Sequence, residues 1–170
     1  HKMLNINLCT TSDEAVAKTL LAYEISNVTL IKLEVLNSNN IDGSNDEGLI
    51  SAVEKLKYNS PDLKVLPLIS SDPKVAKELV SLGCPLLRIM GSEIGGMSGI
   101  QNPSQFEECC NYGVPVILDG GVGSVDHLLK ALELGAQGCL VNSMLFNGNH
   151  GPVAAMKNFQ AHFSDAATRF

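Results

Sequence analysis

Lys32 and Glu34 lie two residues apart in an otherwise apolar run, residues 28–36, that is rich in aliphatic and β-branched side chains. Such a run predicts a strand, and strand side chains alternate between faces, so both charged groups point the same way. Charged groups on a covered face of a sheet are costly unless they are paired or used. The pair indicates an amine nucleophile with a carboxylate beside it, a structural ion pair, or a strand with one solvated edge.

Small residues follow three successive predicted strands. They are Gly95, Gly120, Gly121, Asn142 and Ser143. Glycine permits the positive φ angles and the close backbone approach that a phosphate-binding loop needs. Three such loops at one edge of a sheet favour phosphate binding by backbone amides. Asp119 ends the strand before Gly120, where it is either a second catalytic carboxylate or a turn or N-cap residue.

The bulk composition is that of a soluble globular protein. The 170 residues are 45% apolar and 18% charged, with a net charge of −6, and we expect a single domain over residues 1–170. The acidic balance argues against nucleic acid as a partner. Five scattered cysteines without a CxxC motif predict a reducing compartment and no metal site. We also expect no cofactor, and a location in the cytoplasm or a plastid stroma. No apolar stretch is long enough to predict a membrane span.

Short apolar runs alternate with helical patterns along the whole chain. The predicted strands are residues 3–9, 28–36, 64–69, 85–90, 114–118 and 138–141. The first predicted helix starts within residues 10–14 and runs on through residue 26. The other predicted helices are residues 49–58, 73–82, 103–112, 125–134 and 152–163, and residues 37–48 form a polar loop. This alternation is typical of a parallel sheet, either a β/α barrel or a doubly wound sheet.

Five segments, taken in order, resemble the thiazole synthase family. They are residues 31–35 (Ile-Lys-Leu-Glu-Val), 65–67, 94–99, 114–123 (Val-Pro-Val-Ile-Leu-Asp-Gly-Gly-Val-Gly) and 135–143. The resemblance implies a TIM-type (β/α)8 barrel of which about six βα units are present. The two N-terminal units would be missing, so we expect an N-terminally truncated barrel with an opening between its first and last strands. Direct pairing of those two strands would contradict this expectation.

The resemblance also implies a reaction in thiamine biosynthesis. In the family, a lysine forms an imine with 1-deoxy-D-xylulose 5-phosphate, a small sulfur-carrier protein delivers a thiocarboxylate, and a glycine imine supplies the C–N unit. By this resemblance Lys32 is the imine former, and Glu34 and Asp119 are the acid/base pair. The sugar phosphate would be held by Gly95, Gly120, Gly121, Asn142 and Ser143. A homo-oligomer is expected.

Two other functions remain open from the sequence. One is a different sugar-phosphate barrel enzyme that uses a lysine imine, such as an aldolase or a member of the pyridoxal-phosphate synthase class. The other is a non-catalytic relative that binds a sugar phosphate or the sulfur carrier. The chain differs from the family pattern at Glu93, where the family has proline, and at Gly96, where it has serine.

Overall fold

The computed structural model describes residues 2–39, 43–147 and 151–167. The strands are β1 (Leu4–Cys9), β2 (Leu30–Val35), β3 (Lys64–Ile69), β4 (Leu87–Ile89), β5 (Val116–Asp119) and β6 (Gly138–Leu140). The helices are α1 (Ser12–Ser26), α2 (Asp46–Asn59), α3 (Pro73–Ser81), α4 (Pro103–Cys110), α5 (Val125–Glu133) and α6 (Gly151–Ala167), with a 3₁₀ turn at Ser143–Leu145. All the predicted strands and helices are confirmed, although several ends differ by a few residues.

The start of α2 differs from the prediction, which had kept residues 46–48 in the polar loop. The side chain of Asn45 accepts a hydrogen bond from the Gly48 amide at 2.9 Å, which caps the helix and starts it at Asp46. The cap and the acidic first turn together stabilise a helix start that Gly48 alone disfavours. Residues 40–42 of the predicted loop lie outside the described part of the chain.

The six strands are parallel and follow one another across the sheet in the order β1-β2-β3-β4-β5-β6. Every crossover therefore moves in the same direction, and right-handed connections put the intervening helices on one face. This order is typical of β/α barrels and differs from that of a doubly wound sheet, in which the order reverses. Within the described residues β1 and β6 do not pair, so the contact that would contradict the predicted opening is absent.

The outward face of the sheet forms the hydrophobic core with the helices. Ile31, Leu33 and Val35 of β2 are all fully buried, as the strand alternation predicted. Helix α1 packs on β1 and β2, and α2 packs on β2 and β3. Burying each such side chain stabilises the fold by roughly 1.5–3 kcal/mol, and this leaves the inward face available for polar groups. No helix in the described ranges has both the length and the apolar character needed to cross a membrane.

The cysteines contribute to this apolar packing as thiols. All five are free, and Cys9, Cys84 and Cys109 are buried. Burial raises the pKa of the Cys84 and Cys109 thiols to about 12, and that of Cys110 and Cys139 to about 11. They therefore stay protonated at neutral pH.

The raised pKa of Cys84 predicts a loss of stability at alkaline pH. An unfolded thiol titrates near pKa ~8.5, so above this pH the unfolded chain has released a proton that the folded chain still binds. The free energy of unfolding should fall between pH 9 and pH 11, by up to about 1.4 kcal/mol per pH unit for each such thiol. Urea unfolding of the wild type and of Cys84→Ala at several pH values measures this slope. An equal slope in the two proteins would contradict the assignment to Cys84.

Candidate active site

Lys32 and Glu34 lie on the inward face of β2, where they contact each other. Lys32 Nζ donates a hydrogen bond to Glu34 Oε1 at 2.8 Å. The two side chains are only 20% and 11% exposed, which excludes a strand whose charged face is solvated. The predicted placement of both side chains on one face is thus confirmed, and the remaining interpretations are a structural ion pair and a reactive amine.

Asp119 of β5 and Arg88 of β4 complete a group of four charges on this face. Arg88 Nη1 lies 3.1 Å from Glu34 Oε1 and 2.5 Å from Asp119 Oδ2. Lys32 Nζ lies 3.8 Å from the same Asp119 oxygen. We refer to Lys32, Glu34, Arg88 and Asp119 as the charge cluster. Asp119 therefore turns its carboxylate toward the lysine and the arginine, and its side chain is not an N-cap.

The strand register explains why four residues from three strands meet. Arg88 pairs with Leu68 of β3 and with Ile117 of β5, and paired residues in parallel strands share a face. Asp119 lies two residues beyond Ile117, and Leu68 lies two residues beyond the partner of Lys32. The period of two therefore puts all four charges on the inward face.

Arg88 was not predicted as a site residue. It is 2% exposed, and it also donates to two backbone carbonyls, from Nε to Leu66 O at 3.1 Å and from Nη2 to Leu33 O at 2.8 Å. The sequence did contain a signal, an arginine inside the apolar run at residues 85–90. The same reasoning that selected Lys32 applies to it, but its partners depend on the register of four strands.

A cavity of about 580 Å³ opens above the charge cluster, at the carboxyl ends of the strands. All eight predicted site residues line it: Lys32, Glu34, Gly95, Asp119, Gly120, Gly121, Asn142 and Ser143. Asn5 and Asn7 of β1, which were not predicted, also line the cavity, whereas Glu93 is exposed and does not line it. The described residues contain no group of three or more His, Cys, Asp or Glu side chains that could hold a metal ion.

The glycine loops after β4 and β5 are packed directly on each other. Gly121 has a φ of +82°, and a Cβ added there would lie 2.7 Å from Ser92 N and 2.9 Å from Gly99 O. The Gly99 amide donates to Gly121 O at 2.8 Å and joins the two loops. Gly121 is therefore required by backbone packing, whether or not its amide binds a phosphate.

His127, in the first turn of α5, supports the same loops. Its Nδ1 accepts a hydrogen bond from the Gly123 amide at 3.0 Å, and its ring lies against Gly99. His127 is half-buried, and its ring holds the glycine loops in place beside the cavity.

The arrangement has the parts needed for covalent chemistry on a carbonyl compound. A lysine amine and two carboxylates face a cavity large enough for a small phosphorylated sugar. Glycine-rich loops at the rim expose backbone close to any bound ligand. Fold and site thus define an α/β protein of barrel-type strand order, with a lysine–carboxylate site at the carboxyl ends of its strands.

Comparison with known proteins identifies the family. The family model described as Thiazole biosynthesis protein ThiG matches residues 1–166, and the chain belongs to this family. It is 34% identical over 144 residues to the thiazole synthase of Prochlorococcus marinus strain SARG, covering 81% of this chain and 52% of the relative. It is 33% identical over 161 residues to that of Azorhizobium caulinodans, covering 94% and 59%. The chain thus spans a little over half the length of these curated relatives.

A solved structure gives the same assignment of the fold. The chain superimposes on a chain of the Amycolatopsis orientalis BexX/CysO complex with a TM-score of 0.83 and 28% sequence identity. The match covers 98% of this chain and 68% of that one. The described strands and helices are therefore arranged as in an experimentally determined relative.

The packing around Gly121 predicts a large loss of stability on substitution by alanine. Gly113 is a matched control, because it also has a φ of +82° but no atom within 4 Å of an added Cβ. Gly113→Ala should destabilise by about 1–2 kcal/mol through backbone strain alone. Gly121→Ala should lose a further ~1–3 kcal/mol through the steric overlap. Denaturant unfolding of both variants measures the difference, and equal losses would contradict the described loop packing.

Proposed function

We propose that this chain carries the catalytic sheet of a thiazole synthase. The reaction forms thiazole phosphate from 1-deoxy-D-xylulose 5-phosphate, a glycine imine and a sulfur-carrier thiocarboxylate, in thiamine biosynthesis. The observation that carries the proposal is the position of Lys32 Nζ, 2.8 Å from Glu34 and 3.8 Å from Asp119, on the wall of the cavity. Family membership supports the choice of substrates.

The first proposed step is imine formation by Lys32. Glu34 accepts a proton from the ammonium group, and the free amine then attacks the ketone carbon of the sugar. The C=O electron pair moves to oxygen, which is protonated and leaves as water, so that a C=N bond to Lys32 forms. The contact between Glu34 Oε1 and Lys32 Nζ supports this role for the carboxylate.

The second proposed step is proton removal from the carbon next to the imine. A carboxylate takes the proton, the C–H electron pair forms a C=C bond, and the iminium nitrogen accepts the displaced pair. Glu34 and Asp119 are the two carboxylates that line the cavity. Since both lie within 4 Å of Lys32 Nζ, either is near enough to a carbon bonded to the imine carbon.

The phosphate of the sugar is proposed to bind at the glycine loops. The residues proposed to bind it all line the cavity: Gly95, Gly120, Gly121, Asn142 and Ser143. Lys32 is the one lysine or arginine among the described residues that line the cavity, and it is assigned to the imine. Neutral backbone amides and the Asn142 and Ser143 side chains would therefore hold the dianion.

We infer that the six βα units are part of a TIM-type (β/α)8 barrel, with β1 and β6 as the edges that further strands join. The cavity is lined from both edges, which supports a common centre for the complete sheet.

The sulfur carrier is proposed to bring its thiocarboxylate to the mouth of this cavity. A relative whose solved structure is a complex of two proteins supports an interaction with a second protein. A homo-oligomer is proposed for the full enzyme.

Borohydride trapping tests the proposed function. Reduction in the presence of 1-deoxy-D-xylulose 5-phosphate should leave a stable adduct on Lys32, located by peptide mass spectrometry. Lys32→Ala should lose this adduct completely and still fold, because Glu34 keeps Arg88 as a partner. Lys55→Ala is the matched control, since Lys55 lies on the exposed side of α2 and pairs with Asp13. It should give the same adduct as the wild type.

Other outcomes of this experiment select other functions. An adduct that forms only with other sugar phosphates would favour a different lysine-imine enzyme. Measurable binding of the sugar phosphate without any adduct would favour a non-catalytic relative. An adduct that persists in Lys32→Ala would exclude Lys32 as the nucleophile.

A further inference from the structure

Arg88 lies directly beneath the cavity without facing it. Its side chain is 3% exposed and is not among the residues that line the cavity. Its contacts are with Glu34, Asp119 and two backbone carbonyls. No contact joins it to Lys32 among the hydrogen bonds of the described residues. Arg88 therefore acts on the two carboxylates and does not touch a ligand.

The contacts of Arg88 distinguish the two oxygens of each carboxylate. One nitrogen, Nη1, donates to Oε1 of Glu34 and to Oδ2 of Asp119. Lys32 also uses Oε1 of Glu34 and lies nearest to Oδ2 of Asp119. Within the described residues, every side-chain hydrogen bond and ion pair of the two carboxylates uses these two oxygens. Oε2 of Glu34 and Oδ1 of Asp119 are left for a ligand.

The backbone fixes the guanidinium in this position. Nε donates to Leu66 O on β3, and Nη2 donates to Leu33 O on β2. These two hydrogen bonds fix the orientation of the planar guanidinium group. An arginine keeps its charge at any pH that a protein tolerates, and its donors form a rigid fork. A lysine at this position would supply the charge but could not make the same set of contacts.

We propose that Arg88 is a positioning residue that holds Glu34 and Asp119 by one oxygen each and presents Oε2 and Oδ1 to the substrate as the proton acceptors. The inference rests on the proposed function and deepens it, because it names the atoms that remove the proton after the imine has formed. Imine formation uses Lys32 and Oε1 of Glu34, which contact each other directly and do not need Arg88 between them. The two steps should therefore respond differently to substitution of Arg88.

The test compares Arg88→Met and Arg88→Lys with Ile89→Val. Ile89 is a fully buried neighbour on the same strand, so its truncation controls for a small loss of packing. Two quantities are measured with 1-deoxy-D-xylulose 5-phosphate, the borohydride-trapped adduct on Lys32 and the exchange of solvent deuterium into the carbon next to the imine. The ratio of the deuterium exchange to the amount of trapped adduct measures proton removal separately from imine formation.

The exchange-to-adduct ratio should fall by about 100-fold in Arg88→Met, the lower end of the effect of a positioned acid or base. The adduct itself should persist. Arg88→Lys should recover only part of the ratio, and Ile89→Val should leave it unchanged. An unchanged ratio in Arg88→Met, or full recovery in Arg88→Lys, would overturn the inference. If Arg88→Met does not fold, Arg88→Lys decides the question by itself.

A second readout does not depend on turnover. Carboxyl ¹³C NMR signals of Glu34 and Asp119, assigned with Glu34→Gln and Asp119→Asn, should both shift in Arg88→Lys and stay in place in Ile89→Val. If the wild type gives no adduct, the proposed function fails and these signals alone test the positioning. Signals that do not move in Arg88→Lys would overturn it.

Discussion

The fold is organised around a balanced set of buried and partly buried charges on the inward face of its sheet. Arg88 and Lys32 face Glu34 and Asp119, and each ion has at least one opposite charge within 3.1 Å. Moving isolated ions out of water costs several kcal/mol each, so none of the four is tolerated without its partners. Through its side chain Arg88 joins β2, β3 and β5 to its own strand β4.

A buried ion cluster is weak evidence for stability, because apolar residues of similar size often stabilise as much or more. Here the outward face of the same sheet already supplies a core, with Ile31, Leu33 and Val35 fully buried. The inward charges lie below a cavity, with Lys32 at its wall. Paired ionisable groups beside a cavity are typical of functional sites. Strand alternation therefore separates an apolar outward face, which forms the core, from a charged inward face, which carries the proposed chemistry.

Much of this organisation could be predicted from the sequence. Alternation within β2 alone put Lys32 and Glu34 on one face, and glycine-rich loops after the strands indicated the cavity rim. The partners of Arg88 could not be predicted, because they depend on the register between β2, β3, β4 and β5. Likewise, the packing of Gly121 on the backbone of Ser92 is a contact between two loops that no local pattern encodes.

A double-mutant cycle on Arg88 and Asp119 tests the central claim, that the charges form one interdependent cluster. Arg88→Met, Asp119→Asn and the double variant are compared by their free energies of unfolding. Removing Arg88 alone should cost about 3–5 kcal/mol, since it leaves Asp119 with only the longer contact to Lys32. The double variant should be more stable than the sum of the single losses predicts, by at least ~1 kcal/mol. Losses that add to within about 0.5 kcal/mol would contradict the account.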